Sequence, residues 1–385
     1  MSVQNAARVP MVAVCLFGLE GLLGEEIDAL EPFGVRRTET MDGRVLFEAP
    51  LSALPDLNIR LRFAERVLLL AGRFTARTFD ELFEGTRALR WEDWIGKDDR
   101  FPVKGHSIRS TLFSVPDCQK IVKKAVVTRL SETYRLKWFP ETGVLFQIEF
   151  LLLKDEAFVM IDTTGETLHK RGYRPQAGAA PLRETLAAAM VRLSRPREGV
   201  LLCDPLCGSG TIAVEAAMLL ENRAPGMRRS FAAEAFPQLQ KALWTDARER
   251  AASEVRPLPG PAVYASDIDP ACVELAKQNA ANAGVAKAVR VFRSDARTFT
   301  SPVPGARGTI VSNPPYGERL GTVEEARALA KAVGEAFRKE VPLWQIYILT
   351  SDESFESAFG RKADKIRKLY NGMIPCRFYQ FFKNR

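Results

Sequence analysis

The segment Asn313-Pro314-Pro315-Tyr316-Gly317 combines residue types that suit one chemical task. Asn313 offers a side-chain amide oxygen and Pro314 a free backbone carbonyl. The proline rings fix φ and bar ladder hydrogen bonds, so the segment leaves a strand as a rigid loop. Two acceptors in fixed positions can take both hydrogens of a planar exocyclic amine, and Tyr316 can stack on the ring that carries it. Such an amine is a poor nucleophile because its lone pair is delocalised. Paired acceptors favour a more tetrahedral nitrogen and stabilise the positive charge that develops on it. Asn313, Pro314, Pro315 and Tyr316 are therefore the candidate catalytic set. A proline-rich turn with a packed tyrosine would use the same residues. Position argues against that reading, because the segment follows three strand ends that each carry ligand-binding groups.

The first of these is Leu201-Leu202-Cys203-Asp204-Pro205-Leu206-Cys207-Gly208-Ser209-Gly210-Thr211, a buried strand entering a glycine turn and then a helix. Glycine lets the backbone approach a ligand closely, and open α/β sheets bind ligands at the carboxyl ends of their strands. The dinucleotide pattern GxGxxG lacks its third glycine here, and no P-loop lysine is present. What remains is the turn type used for S-adenosylmethionine, with Asp204, Cys207, Gly208, Ser209, Gly210 and Thr211 around it. The next strand ends in Ser266-Asp267-Ile268-Asp269, where Asp267 can accept from ribose hydroxyls. The third ends in Ser294-Asp295-Ala296, where Asp295 can accept from an adenine amino group. Ile268 and Ala296 flank these carboxylates and join the expected cofactor set, as does Asn313. Each aspartate could instead cap a helix, and for Asp269 before Pro270 the cap is the better reading.

Strand–helix alternation over the C-terminal half predicts a parallel α/β sheet. Its strands are expected at Val200–Asp204, Ala262–Asp267, Val289–Ser294, Thr309–Asn313 and Trp344–Thr350, with helices starting near Thr211, Pro270 and Val323. A hairpin around Asn371-Gly372 closes it. The front half reads as two small α+β units. The first has strands at Met11–Phe17, Gly34–Thr40, Arg44–Phe47 and Arg66–Phe74, with helices over Gly18–Leu30 and Leu51–Phe63. The second has a helix over Thr78–Leu89, a strand region over Arg100–Thr111, a long helix over Pro116–Lys137 and a hairpin of Val144–Leu153 with Ala157–Asp162. Gly165–Pro181 reads as a basic linker. The expected organisation is residues 1–74, 75–164, a linker with a pocket helix over 165–195, and 196–385.

The formal net charge of +8 over 385 residues makes nucleic acid a natural partner. Lys104, Arg109, Lys123, Lys124, Lys170, Arg171 and Arg174 are the expected phosphate contacts as a set; any one of them could simply solubilise a surface. The six cysteines form no CxxC pair and only two histidines accompany them, so no metal site is expected. No apolar run reaches the ~20 residues of a membrane span, and the first ten residues lack a signal-peptide pattern. A reducing, cytoplasmic setting fits the scattered thiols.

With these motifs in order, the sequence resembles the THUMP-domain RNA guanine-N2 methyltransferases, in particular the bacterial enzymes of 23S ribosomal RNA. The resemblance spans nearly the whole chain. It also rests on His169-Lys170-Arg171-Gly172-Tyr173-Arg174, on Ala180-Pro181-Leu182-Arg183-Glu184-Thr185-Leu186-Ala187, and on Asn222-Arg223-Ala224-Pro225-Gly226 with Arg229-Ser230-Phe231. It implies a Rossmann-like class I methyltransferase domain with a mostly parallel seven-stranded sheet, preceded by ferredoxin-like and THUMP units. It implies S-adenosylmethionine as cofactor, 23S ribosomal RNA or its assembly intermediates as partner, and a cofactor-pocket border at Pro181–Leu186 that includes Thr185. Some family members carry a second methyltransferase domain; this sequence stops before one, so a second activity is not carried over. The motif recognises an amine rather than a ring. Guanine N2 in transfer RNA, adenine N6, and a protein glutamine amide therefore remain open, as does a non-catalytic RNA-binding assembly factor.

Overall fold

The computed structural model describes residues 7–174, 182–315 and 322–382. Its front half is built on one seven-stranded sheet in the order β2-β3-β1-β4-β7-β6-β5. The strands are β1 (Arg8–Cys15), β2 (Arg36–Met41), β3 (Arg44–Pro50), β4 (Ala64–Thr75), β5 (Val103–Ile108), β6 (Ile148–Leu153) and β7 (Glu156–Asp162). Asp42-Gly43 makes the β2–β3 turn, with Gly43 at φ +72° as a tight hairpin requires. Helices α1 (Glu20–Ala29), α2 (Leu54–Arg60), α3 (Phe79–Arg87) and α4 (Val115–Tyr134) accompany this sheet. Thr78 caps α3 through a reciprocal box with Glu81. The two units expected in the front half share a sheet, because β4 runs antiparallel to β7 from Leu68↔Asp162 to Thr75↔Glu156.

After α5 (Glu184–Leu193), the C-terminal half has a second seven-stranded sheet in the order β10-β9-β8-β11-β12-β14-β13. Its parallel part is β8 (Leu201–Asp204), β9 (Val263–Asp267), β10 (Val289–Arg293), β11 (Gly308–Ser312) and β12 (Gln345–Thr350). An antiparallel hairpin, β13 (Lys365–Asn371) and β14 (Ile374–Phe381), completes it. The helices are α6 (Thr211–Leu220), α7 (Lys241–Ser253), α8 (Pro270–Ala283), α9 (Val323–Glu340) and α10 (Phe355–Phe359). Four strands of the parallel part, β8, β9, β11 and β12, are largely apolar and buried, as burial of a sheet by helices demands. Helix α7 lies in the insertion before β9, where the sequence reading assigned no helix. Only Trp244, Ala247 and Ala251 of it are buried, among charged neighbours.

The two halves are not separate bodies. One apolar cluster runs from Met11 of β1 through Phe150 of β6 to Phe378 of β14. The insertion between α6 and β9 grips the front half. Phe236 stacks on Phe146 with ring centres 4.4 Å apart, and the Gly226 amide donates to the Ile59 carbonyl at 2.8 Å. A side chain at Gly226 would place its Cβ 2.7 Å from Ile59 Cα, so glycine permits the contact. Arg60 forks onto Glu254 at 2.6 and 2.9 Å, and Arg250 reaches buried Asp56 at 2.6 Å.

Candidate active site

The carboxyl ends of β8, β9, β10 and β11 share one edge of the C-terminal sheet, and the expected ligand groups gather there. After β8 the chain turns through Gly208 (φ +50°) and Gly210 (φ +78°) into α6. The two glycines serve different needs. Around Gly208 a Cβ would meet nothing within 4 Å, so its backbone faces open space. At Gly210 a Cβ would lie 2.8 Å from the Ala276 Cβ, so glycine lets α8 pack close. Asn279 of α8 donates to the Ser209 carbonyl at 2.9 Å and holds the turn.

Asp267 at the end of β9 accepts the Gly208 amide at 2.9 Å and the Asp269 amide at 3.0 Å. It is half-buried, with lone pairs left for a ligand hydroxyl. Ile268 beside it is 51% exposed, an apolar surface next to a carboxylate. Asp269 caps α8 by accepting from the Ala271 amide at 2.8 Å, as expected of it. Asp295 also caps a short turn, accepting the Arg297 amide at 2.9 Å, and its carboxylate is forked by the Arg297 guanidinium at 2.6 Å. That guanidinium holds the Asp295 carboxyl below the usual carboxylate range. Ala296 behind it is buried.

Asp204 is fully buried and accepts the Ser312 hydroxyl at 2.6 Å, tying β8 to β11 beside Asn313. Burial pushes its carboxyl up to about 7. It sits behind the ligand edge as a brace. Burial also pushes the Cys207 thiol well up, so a thiolate nucleophile is disfavoured there. Asn313 follows Ser312 with its amide Oδ1 buried and without a hydrogen-bond partner among the described residues. A buried acceptor left unpaired costs about 1–3 kcal/mol, which a donor from a bound amine would recover. Pro314 is buried beside it. Tyr316 and Pro181 lie outside the described residues. Among the described residues, no group of three or more His, Cys, Asp or Glu is placed to hold a metal ion, and no helix is long and apolar enough to cross a membrane.

Arg171 and Arg174 depart from the expected RNA-contacting set. Arg171 is 3% exposed. It pairs with buried Glu215 at 3.4 Å and donates to the Leu168 and Arg62 carbonyls at 2.8 and 2.6 Å. Arg174 pairs with buried Glu184 at 2.8 Å and donates to the Thr211 hydroxyl at 2.8 Å. Both guanidiniums face inward because burial leaves each carboxylate in need of a counter-charge. Thr185 is buried, donating its hydroxyl to Glu65 of β4 at 2.5 Å. Glu65 also accepts Arg183 at 2.9 Å and lies 2.8 Å from His169 Nδ1. These contacts join α5 to the front half. Glu65, Glu215 and Asn279 escaped the sequence reading, since each acts on a partner distant in the chain; Glu184 and Ser312 were given no role in it. Lys123 is neutralised by Glu141 at 2.6 Å and Lys170 by Glu166 at 2.7 Å. Lys104, Arg109 and Lys124 are exposed, without an ion pair among the described residues.

Residues 171–380 match the family model described as RMKL-like, methyltransferase domain. Residues 76–162 match the THUMP domain and residues 10–68 the RlmL ferredoxin-like domain. YpsC of Bacillus subtilis, provisionally named an RNA methyltransferase, is 42% identical over 97% of this chain and 96% of its own length. The ribosomal RNA large subunit methyltransferase K/L of Vibrio campbellii is 33% identical over 95% of this chain. The chain spans about half the length of that relative, 52%. Among solved structures, the methyltransferase-like protein SMU.472 in complex with SAH superposes with a TM-score of 0.89 at 40% identity, covering 98% of this chain.

Proposed function

We propose, from the premise that the chain belongs to the RMKL-like methyltransferase family, that it methylates the exocyclic N2 amine of a guanine in 23S ribosomal RNA. The cofactor is S-adenosylmethionine, and the site of action is the cytoplasm, where that RNA is made. The observation that carries the reading is the orphaned Asn313 Oδ1 at the end of β11, on the same sheet edge as the glycine turn and Asp267.

The site suits a nucleoside cofactor. The Gly208 backbone faces open space for the amino-acid end, Asp267 has lone pairs for ribose hydroxyls, and Ile268 offers apolar surface to a base. When bound, the cofactor supplies a methyl group already activated by a sulfonium. The protein's task is then positioning. Asn313 Oδ1 and the Pro314 carbonyl accept the two amine hydrogens and fix the nitrogen lone pair toward the methyl. Their partial negative charge would stabilise the cationic amine as the methyl arrives, and the surplus proton would then pass to water. The buried, protonated Cys207 thiol takes no part in bond making, and no strong base is needed before transfer. Tyr316 is proposed to stack on the flipped base.

Membership of the family supports RNA as substrate through the THUMP match and the named ribosomal RNA relative. Nucleoside mass spectrometry of ribosomal and transfer RNA from cells with and without this protein tests the assignment. Loss of one N2-methylguanosine from 23S RNA is expected. Loss of a transfer RNA or adenine N6 modification instead would overturn the guanine and 23S assignment.

A further inference from the structure

The strand β13 carries Lys365, Arg367 and Lys368, and none of them has an ion pair among the described residues. Several cations of α4, by contrast, have carboxylate partners: Lys120 with Asp117, Lys123 with Glu141, and Arg129 with Glu92. Lys368 stands directly opposite Arg377 of β14. Like charges facing across a ladder destabilise it. Glu353, 2.7 Å from Arg377, offsets one of the two charges.

The position of this hairpin matters as much as its charge. Because Thr350, the last residue of β12, pairs with Arg377, the segment from Arg377 to Ile374 runs past the end of β12 by three residues, roughly 10 Å. The hairpin tip therefore stands above the same sheet edge that presents the glycine turn, Asp267 and Asn313. It also meets the front half. Tyr370 packs edge-on against Phe17 with ring centres 5.9 Å apart, and Lys368 Nζ lies 5.4 Å from the Tyr370 ring. A Cβ at Gly18 would lie 2.9 Å from the Lys368 carbonyl. Phe17 is 51% exposed and Met373 at the tip is 94% exposed.

We propose that the β13–β14 hairpin and Phe17 form the surface that holds single-stranded RNA beside the target nucleotide. The inference rests on the RNA-methylation reading above and names the surface that serves it. Unpaired lysines meet phosphates, while Tyr370, Phe17 and Met373 meet base faces. Single-stranded RNA alternates these two chemistries. An acidic protein would match the cations but leave the exposed aromatic and methionine surface without flat partners.

The test uses the full chain with Lys368→Glu and Met373→Ala, both exposed positions outside the cofactor site. Affinity for a fluorescent single-stranded RNA and for transcribed 23S RNA is measured across a salt series, together with RNA KM, kcat and S-adenosylmethionine affinity. Lys368→Glu is expected to weaken RNA binding about ten-fold and to lower the salt slope by about one. Met373→Ala is expected to weaken it about three-fold with little change in salt slope. Cofactor affinity, unchanged, reports an intact fold. Wild-type RNA affinity and KM in both variants would overturn the surface, as would equal displacement of RNA by poly-glutamate at matched charge. If the wild type binds RNA without methylating it while Lys368→Glu loses binding, the surface stands and the methylation reading falls.

Discussion

Asp204 bears on stability through its proton. Its carboxyl is raised to about 7 in the folded chain from an ordinary value of 3.8, chiefly because burial disfavours the charge. The folded state thus binds more protons than the unfolded state between those values. Stability contributed by the neutral acid is fully present below the ordinary value and is lost as pH rises toward 7. Urea unfolding at pH 5.5 and pH 8 should show the wild type losing more stability with pH than Asp204→Asn, which keeps an acceptor for Ser312. Equal losses in both proteins would exclude Asp204 as the titrating group. At this scale the sequence was legible where the partner is local. Asp269 before Pro270, and Gly208 on the strand-to-helix turn, are read from neighbours in the chain. The Asp295–Arg297 fork, two residues apart, was within reach but was not read.

Among elements, the basic segment before α5 shows where sequence reading stops. A run of His169, Lys170, Arg171 and Arg174 looks like a phosphate contact, yet its two arginines answer Glu215 on α6 and Glu184 on α5. Nothing in the local sequence separates a guanidinium facing solvent from one facing a carboxylate 44 residues away. The consequence is testable. Arg171→Met should destabilise the fold by about 3–5 kcal/mol, because Glu215 is left buried without its charge partner. Exposed Lys170→Ala should stay within about 0.5 kcal/mol. Chemical denaturation separates the two. A near-neutral Arg171→Met with weakened RNA binding would instead restore the phosphate role. Helix α7 was illegible for a related reason: its buried stripe is only Trp244, Ala247 and Ala251, too sparse to stand out at helical period.

Across the whole molecule, the parallel sheet and its closing hairpin follow from strand–helix alternation, but the union of the halves does not. The packing of the insertion on α2 and Phe146 and the bonds from Arg183 and Thr185 to Glu65 are contacts between distant segments, which periodicity cannot report. They make the catalytic half depend on the front half. Separated residues 166–385 would expose the apolar surface around Phe236 and leave Arg183, Thr185 and His169 without Glu65. That fragment should have a lower melting temperature than the full chain and weaker cofactor binding, measured by calorimetry. A fragment with full stability and full cofactor affinity would show that the shared core contributes little.

In the proposed reaction, Asn313 accepts from an amine as charge develops on it. Such a contact acts mainly in the transition state, so its loss lowers rate more than affinity. The direct measurement is single-turnover transfer of labelled methyl from saturating S-adenosylmethionine to undermodified 23S RNA, by wild type and by Asn313→Ala, with the product nucleoside identified. The label is expected on guanosine N2. The Asn313→Ala rate is expected to fall by a factor on the order of 10²–10³, by analogy with losing one preorganised electrostatic group, while cofactor and RNA affinities stay near wild type. An Asn313→Ala variant that transfers methyl at the wild-type rate would exclude the amine-acceptor role of Asn313 and leave this loop a structural turn.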